Sequence, residues 1–212
     1  MAGIFVSTYS GCMTEADEHK LAMQALQVEQ KEKVKQAVHA DRGLILVHTG
    51  NGKGKSSSAF GVTARALGWG HSVAVVQFIK GTWKTGERQF FDRFPDQLHW
   101  RTMGEGFTWN TQDRDRDIEA ATAAFAQADK LMLSGDYDLV VLDEINIALR
   151  YDYIDVEVVI AALHQRSNRT SVILTGRDAK PALMDMADLV SEMKEIKHPF
   201  KAGIKAKQGI DY

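Results

Sequence analysis

Residues 45–68 read ILVHTGNGKGKSSSAFGVTARALG. An apolar run breaks into alternating glycines, passes two lysines, and continues hydroxyl-rich with helical periodicity. A strand that ends in a glycine-rich turn directly before a helix is the frame of a phosphate-binding loop. Gly50, Gly52 and Gly54 tolerate positive φ, so successive N–H groups can face inward as an anion nest. Lys55 is placed to reach terminal phosphates, and the Ser56 hydroxyl stands where a magnesium ligand is expected. Lys53 adds a second charge, either on phosphate or in solvent. The usual spacing Gly-x-x-x-x-Gly-Lys-Ser/Thr would put a glycine at position 49, which is Thr49. The loop thus departs from the common hydrolase pattern at its first position.

Outward from this stretch the chain alternates. The segments 43–48 (GLILVH), 72–79 (SVAVVQFI), 97–103 (QLHWRTM), 137–144 (YDLVVLDE), 170–176 (TSVILTG) and 188–196 (DLVSEMKEI) read as strands. Most are apolar with little polar interruption, as expected of strands buried on both faces. Helices are expected over 56–67, 115–134, 156–166 with Asp155 as N-cap, and 181–187 with Pro181 near its start. The pattern predicts an α/β fold, a mostly parallel sheet covered by helices on both faces, of the P-loop NTPase-like class. Ligands then bind beyond the carboxyl ends of the strands. Residues 1–16 read as a flexible N-terminal extension and 17–39 as a helix, with 40–212 as the main domain. Leu21, Ala25 and Val28 form a narrow apolar stripe on that helix. The stripe suits either a helix lying on its own domain or an arm covering a neighbouring subunit. The tail after residue 196 has no clear period.

Composition narrows the classes. The 212 residues are 44% apolar, with 26 Lys plus Arg against 28 Asp plus Glu and a formal net charge of −2. Nothing in that balance calls for a nucleic-acid partner. Cys12 is the single cysteine, which excludes a disulfide within one chain and favours a reducing compartment. The opening MAGIFVSTYSGCM lacks the basic start and long apolar core of a signal peptide. No stretch approaches the roughly 20 apolar residues of a spanning helix. The chain is read as cytoplasmic, with no membrane association.

DLVVLDEIN (138–146) supplies an acidic partner, Asp143-Glu144, at the carboxyl edge of a buried strand. Such residues can hold Mg²⁺ directly or through water, and the sequence leaves open which carboxylate does so. Loop and acid together point to a nucleoside triphosphate with Mg²⁺, without naming the reaction. No Asn-Lys-x-Asp guanine reader and no protein-kinase set is present. A generic P-loop ATPase or small-molecule kinase, and a binding module without turnover, stand beside a transferase at this point.

Two further segments, VVQFIKGTWKTGER (75–88) and GEGFTWNTQDRD (104–115), place aromatics among glycine and polar residues where ligands should bind. Phe107 and Trp109 on such a loop suggest a flat hydrophobic ligand. TGNGKGKSS, VVQFIKGTW, GFTW with TQ, VVLDE, ILTGR and the ending KAGIKAKQGIDY occur in the same order. Together they closely resemble the P-loop type ATP:corrinoid adenosyltransferases, from about Arg42 to the C-terminus, with a counterpart in the N-terminal helix.

The resemblance implies transfer of the 5′-deoxyadenosyl group of ATP to the cobalt(I) of a corrinoid, with inorganic triphosphate leaving. In that family ATP lies reversed along the loop, its γ-phosphate where other P-loop enzymes place the α-phosphate. Lys55 and Lys53 then steady the departing triphosphate, and Asn51 assists nucleotide placement. Ser56 and Glu144 correspond to the family's metal contacts, for Mg²⁺ with Mn²⁺ as an alternative. Phe107 and Trp109 match the aromatics that displace the lower axial ligand of the corrinoid, easing reduction of cobalt(II). A reduced flavodoxin or flavin would supply the electron. The N-terminal helix would act as a lid over the corrinoid site, in a homodimer. Arg177 in ILTGR takes no firm role.

Overall fold

The computed structural model describes residues 14–78, 85–102 and 113–211. The chain divides into two compact units after Ala40. The first contains helix α1, Glu15–Gln36, which buries none of its residues. It begins two residues before the expected start because Thr14 caps it. The Thr14 hydroxyl accepts from Asp17 N at 3.2 Å, and Thr14 N donates back to the Asp17 carboxylate at 3.2 Å. This capping box satisfies donors that a helix start otherwise leaves unmade.

The second unit is the expected alternation. Its elements run β1 (Ile45–Thr49), α2 (Lys55–Gly68), β2 (Val73–Gln77), α3 (Gly86–Phe91), β3 (Leu98–Thr102) and α4 (Arg114–Ser134). There follow β4 (Leu139–Asp143), α5 (Ile145–Arg150), α6 (Val156–Gln165), β5 (Ser171–Thr175), α7 (Pro181–Met186) and β6 (Leu189–Glu192). A short 3₁₀ turn, Pro199–Ala202, lies in the tail that showed no period. The strands form one sheet in the order β3-β2-β4-β5-β1-β6, and every pairing is parallel. Asp155 caps α6 as expected, accepting from Glu157 N at 3.0 Å.

Period-two alternation sorts the strand side chains into two cores. Val140, Leu142, Val172 and Leu174 face α4, α5, α6 and α7, where Ala121, Ala124 and Ala128 let α4 approach the sheet closely. Leu139, Val141 and Ile173 face the opposite way with Ala59, Phe60 and Leu67 of α2 and Phe91 of α3. Burial on both faces is what a parallel sheet requires, and it fixes the carboxyl ends of β1, β4 and β5 side by side.

β6 stops at Glu192 rather than near Ile196. Beyond it the backbone turns from the ladder onto the glycine loop. Met193 N donates to Thr49 O at 2.8 Å, and Met193 O accepts from Gly52 N at 2.7 Å.

The start of β6 is clamped by charge. Asp188 accepts from Ile45 N and from Arg42 Nη1, both at 2.8 Å, and from Arg42 Nη2 at 2.5 Å. Arg42 holds the Asp188 carboxyl down, from 3.8 to about 2. A depressed folded value means the clamp is fully present above pH about 4 and lost as pH falls towards 2. Asp188→Asn is therefore expected to lower the thermal midpoint by a few degrees near neutrality, since Arg42 is half exposed and screened. The gap from the parent protein should close in acid. Calorimetry at pH 7 and near the acid end of the window checks this, and a gap that persists unchanged in acid contradicts it.

Candidate active site

The glycine loop joins β1 to α2 at the carboxyl edge of the sheet. Gly50 has φ 95° and Gly54 φ 112°, conformations that residues with a Cβ rarely adopt. Gly54 is the N-cap of α2 and makes no side-chain cap, which leaves the positive end of that helix open towards the loop. The β6 exit walls the other side. A Cβ on Gly50 would lie 2.4 Å from Met193 O, and one on Gly52 2.8 Å from the Lys194 carbonyl carbon.

Lys55, at the first turn of α2, is buried. Its ammonium donates to Gly50 O at 2.8 Å and Gly52 O at 2.6 Å. Burial pushes its pKa below the ordinary lysine value, while the negative charge of Glu144 pulls the other way. Lys53 is half exposed and pairs with Asp211 at 2.7 Å. Asn51 is exposed, and Ser56 is half-buried beside Lys55. Thr49, where a glycine was expected by spacing, is buried, and its hydroxyl accepts from Ala179 N at 3.1 Å. That bond ties the loop's entry to the segment after β5, a use for a hydroxyl that glycine lacks.

β5 separates β1 from β4, so the loop and the acidic pair stand about 10 Å apart, two strand spacings. Side chains must bridge that gap. Asp143 is buried and turned inward, accepting from Gln77 Nε2 at 2.9 Å and Thr175 Oγ1 at 2.8 Å. Glu144 is half-buried, caps α5 with a left-handed φ of 63°, and acts on Lys55 electrostatically. Glu144 and Asp178 are thus both within electrostatic reach of the loop lysine. Arg177 is exposed, and its positive charge also acts on Lys55. Phe107 and Trp109 lie outside the described residues.

Sequence reading missed the buried polar groups around the acid: Gln77, Thr175, and Asn146, whose Nδ2 donates to Gly176 O at 3.2 Å. A signal existed in the polar residues that close the apolar runs VAVVQ and SVILT. Among the described residues no three His, Cys, Asp or Glu side chains converge as a metal cage. Ser56 follows Lys55 in the chain, and Glu144 acts on Lys55 by its charge; a hydroxyl and a carboxylate are oxygen donors of the kind suited to Mg²⁺ beside phosphate.

Residues 41–212 match the model of the family described as ATP:corrinoid adenosyltransferase BtuR/CobO/CobP. The chain belongs to this family. It is 52% identical over 194 residues to a corrinoid adenosyltransferase of Pseudomonas aeruginosa, covering 92% of this chain and 95% of that protein. It is 48% identical to one from Sinorhizobium sp, over 93% of this chain and 94% of that one. It is 45% identical to the corrinoid adenosyltransferase CobA of Salmonella typhimurium, over 87% and 96%. The glycine loop, Glu144 and the tail through Asp211 all fall within the stretch that the adenosyltransferase family model covers. Among the described residues no helix is long and apolar enough to cross a membrane.

Proposed function

We propose that this chain transfers the 5′-deoxyadenosyl group of ATP to the cobalt(I) of a corrinoid, in adenosylcobalamin synthesis or salvage. The observation that carries the reading is a glycine loop with a buried lysine at the carboxyl edge of the parallel sheet, inside a chain of the adenosyltransferase family. Cobalt(I) is the nucleophile. Its electron pair forms the cobalt–carbon bond at C5′ as the C5′–O bond breaks, and the electrons of the broken bond leave with inorganic triphosphate. No protein nucleophile is needed. The protein has to align the reactants and stabilise charge on the leaving group.

The loop N–H groups of residues 50–55 hold the triphosphate, with Lys55 and Lys53 supplying charge and Asn51 helping to place the nucleotide. Ser56 and Glu144 would hold Mg²⁺, or Mn²⁺, and the ion supplies further neutralisation of phosphate charge. Asp143, committed to buried partners, supports the strand end instead. Phe107 and Trp109 displace the corrinoid's lower axial ligand, and the loss of that donor eases reduction of cobalt(II). Helix α1 serves as the lid in a homodimer, with a reduced flavodoxin or flavin as electron donor in the cytoplasm. These finer roles rest on the family likeness and on the residue types present.

The test incubates the protein anaerobically with MgATP and chemically reduced cob(I)alamin. A photolabile alkylated corrinoid and inorganic triphosphate in equal amounts are expected. Release of ADP without alkylated corrinoid would reject the reading.

A further inference from the structure

We propose that Thr175 is a positioning residue, whose buried hydroxyl fixes the backbone of Glu144 and so aims its carboxylate at the metal–triphosphate site. The inference rests on the reading of Glu144 as a metal-holding residue and adds the group that holds it in place.

Thr175 closes β5, the strand between the phosphate-loop strand and the acid-bearing strand, and it is fully buried. Its Oγ1 makes two bonds of opposite sense. It donates to Asp143 Oδ1 at 2.8 Å and accepts from Glu144 N at 2.9 Å. A hydroxyl has one proton, and an ionised carboxylate only accepts. Donation to Asp143 therefore fixes the rotor, and a lone pair is left for the Glu144 amide.

The other end of the relay is equally determined. Gln77 Nε2 donates to Asp143 Oδ2 at 2.9 Å. Its Oε1 accepts from Trp100 Nε1 at 3.0 Å and from Thr102 Oγ1 at 3.2 Å. An indole N–H only donates, so the amide cannot flip without losing the Trp100 and Asp143 bonds together. Asp143 is thereby locked from both sides, and Thr175 is locked by Asp143.

Glu144 needs the support. It sits at φ 63°, a conformation that a residue with a Cβ keeps only where its surroundings over-determine it. Its N–H is held by Thr175, and its carbonyl accepts from Ile147 N at 3.1 Å. Without the hydroxyl that N–H loses its partner, and the residue can relax to an ordinary helical or extended backbone. The carboxylate then swings away from the loop.

The experiment titrates ATP into the full-length protein by calorimetry, with and without Mg²⁺, and compares variants. In the parent protein Mg²⁺ should tighten ATP binding. Thr175→Val should cut that metal-dependent gain by about tenfold or more, the usual scale for groups that orient a metal-holding side chain. Metal-free ATP binding should stay the same. Thr175→Ser should restore the gain, and Thr175→Val should add nothing in a Glu144→Gln background. Should the valine variant fail to fold, Thr175→Cys keeps the volume, weakens both hydrogen bonds and gives the same discrimination. Equal losses with and without Mg²⁺, additive losses with Glu144→Gln, or no restoration by serine would overturn the positioning role. If Glu144→Gln leaves the metal-dependent gain intact, the metal reading of Glu144 fails and this inference fails with it. If Glu144→Gln removes the gain and Thr175→Val does not, the positioning role alone is lost.

Discussion

Lys55→Ala is expected to lower the rate of adenosyl transfer by about 100- to 1000-fold, the scale of losing one preorganised charge at a developing anion. The loss should be the same whether cobalt(I) is supplied chemically or made from cobalt(II) by a biological reductant, because in the proposed mechanism Lys55 serves the leaving group. Anaerobic single-turnover kinetics with each source of cobalt(I) measures it. Full activity would remove Lys55 from the phosphate site, and a loss confined to the cobalt(II) route would move it to the corrinoid side. Stability should change little. The ammonium is a buried cation whose pKa burial has pushed down, so removing it relieves desolvation as well as breaking two bonds. The same shift has a kinetic sign. Lys55 in the empty enzyme loses its proton at a lower pH than an ordinary lysine, so kcat/KM for ATP should fall on an alkaline limb that begins early. Lys55→Arg should lack that limb, since a guanidinium stays charged.

The largest stability effect is expected at Gly43. A Cβ there would lie 2.2 Å from Thr170 C and O and 2.5 Å from Ser171 N. All three are backbone atoms, so nothing can swing aside. The segment is pinned as well: Gly43 N donates to Asn168 O at 2.7 Å, and Gly43 O accepts from Arg166 Nη2 at 2.8 Å. Gly43→Ala must push the lead of β1 off β5. The cost should be about 3 kcal/mol, at the upper end for overpacking, or roughly 6–12 °C in the thermal midpoint for a domain of this size. Gly61→Ala is the contrast. Gly61 lies within α2, and a Cβ there meets nothing within 4 Å. It should be neutral or raise stability by about 0.5–1 kcal/mol. Scanning calorimetry of the pair separates close approach from general loss of a glycine, and equal behaviour would refute the packing argument.

The sequence carried the elements that announce themselves locally. Strands such as VAVVQ and LVVLD are apolar along their whole length because both faces are covered, and the Gly-Lys-Ser junction marks the loop between β1 and α2. Helices α3 and α5 escaped notice because six residues are too few to display a 3.6-residue period, whereas the equally short α7 was marked by Pro181 at its start. What could not be read was anything that depends on strand order. Alternation implies a parallel sheet, but it does not say that β5 lies between β1 and β4. Without that order, Thr175, Asp143 and Gln77 are three polar residues in three separate runs. With it, they are one hydrogen-bonded line. The choice between Asp143 and Glu144 was illegible for a related reason. Neighbours in sequence, they diverge because one faces into the sheet and the other takes a left-handed backbone at the helix start. Lys53 could be read as charge for phosphate, but its pairing with Asp211 joins the loop to the far end of the chain, beyond any local pattern.

The seat of the Lys55 ammonium on two loop carbonyls has a consequence for turnover. An arriving polyphosphate does not meet a cation bathed in water. In the proposed binding mode it displaces ligands that the protein itself provides, at 2.8 and 2.6 Å. Capture is therefore a swap between two well-made sets of bonds, and the net gain is the difference between them. The same seat is there when the adenosyl group has moved and a highly charged leaving group must come out. By carrying its own counter-ligand, the loop trades tightness of hold for ease of departure, which suits a site whose product is a more compact anion than its substrate.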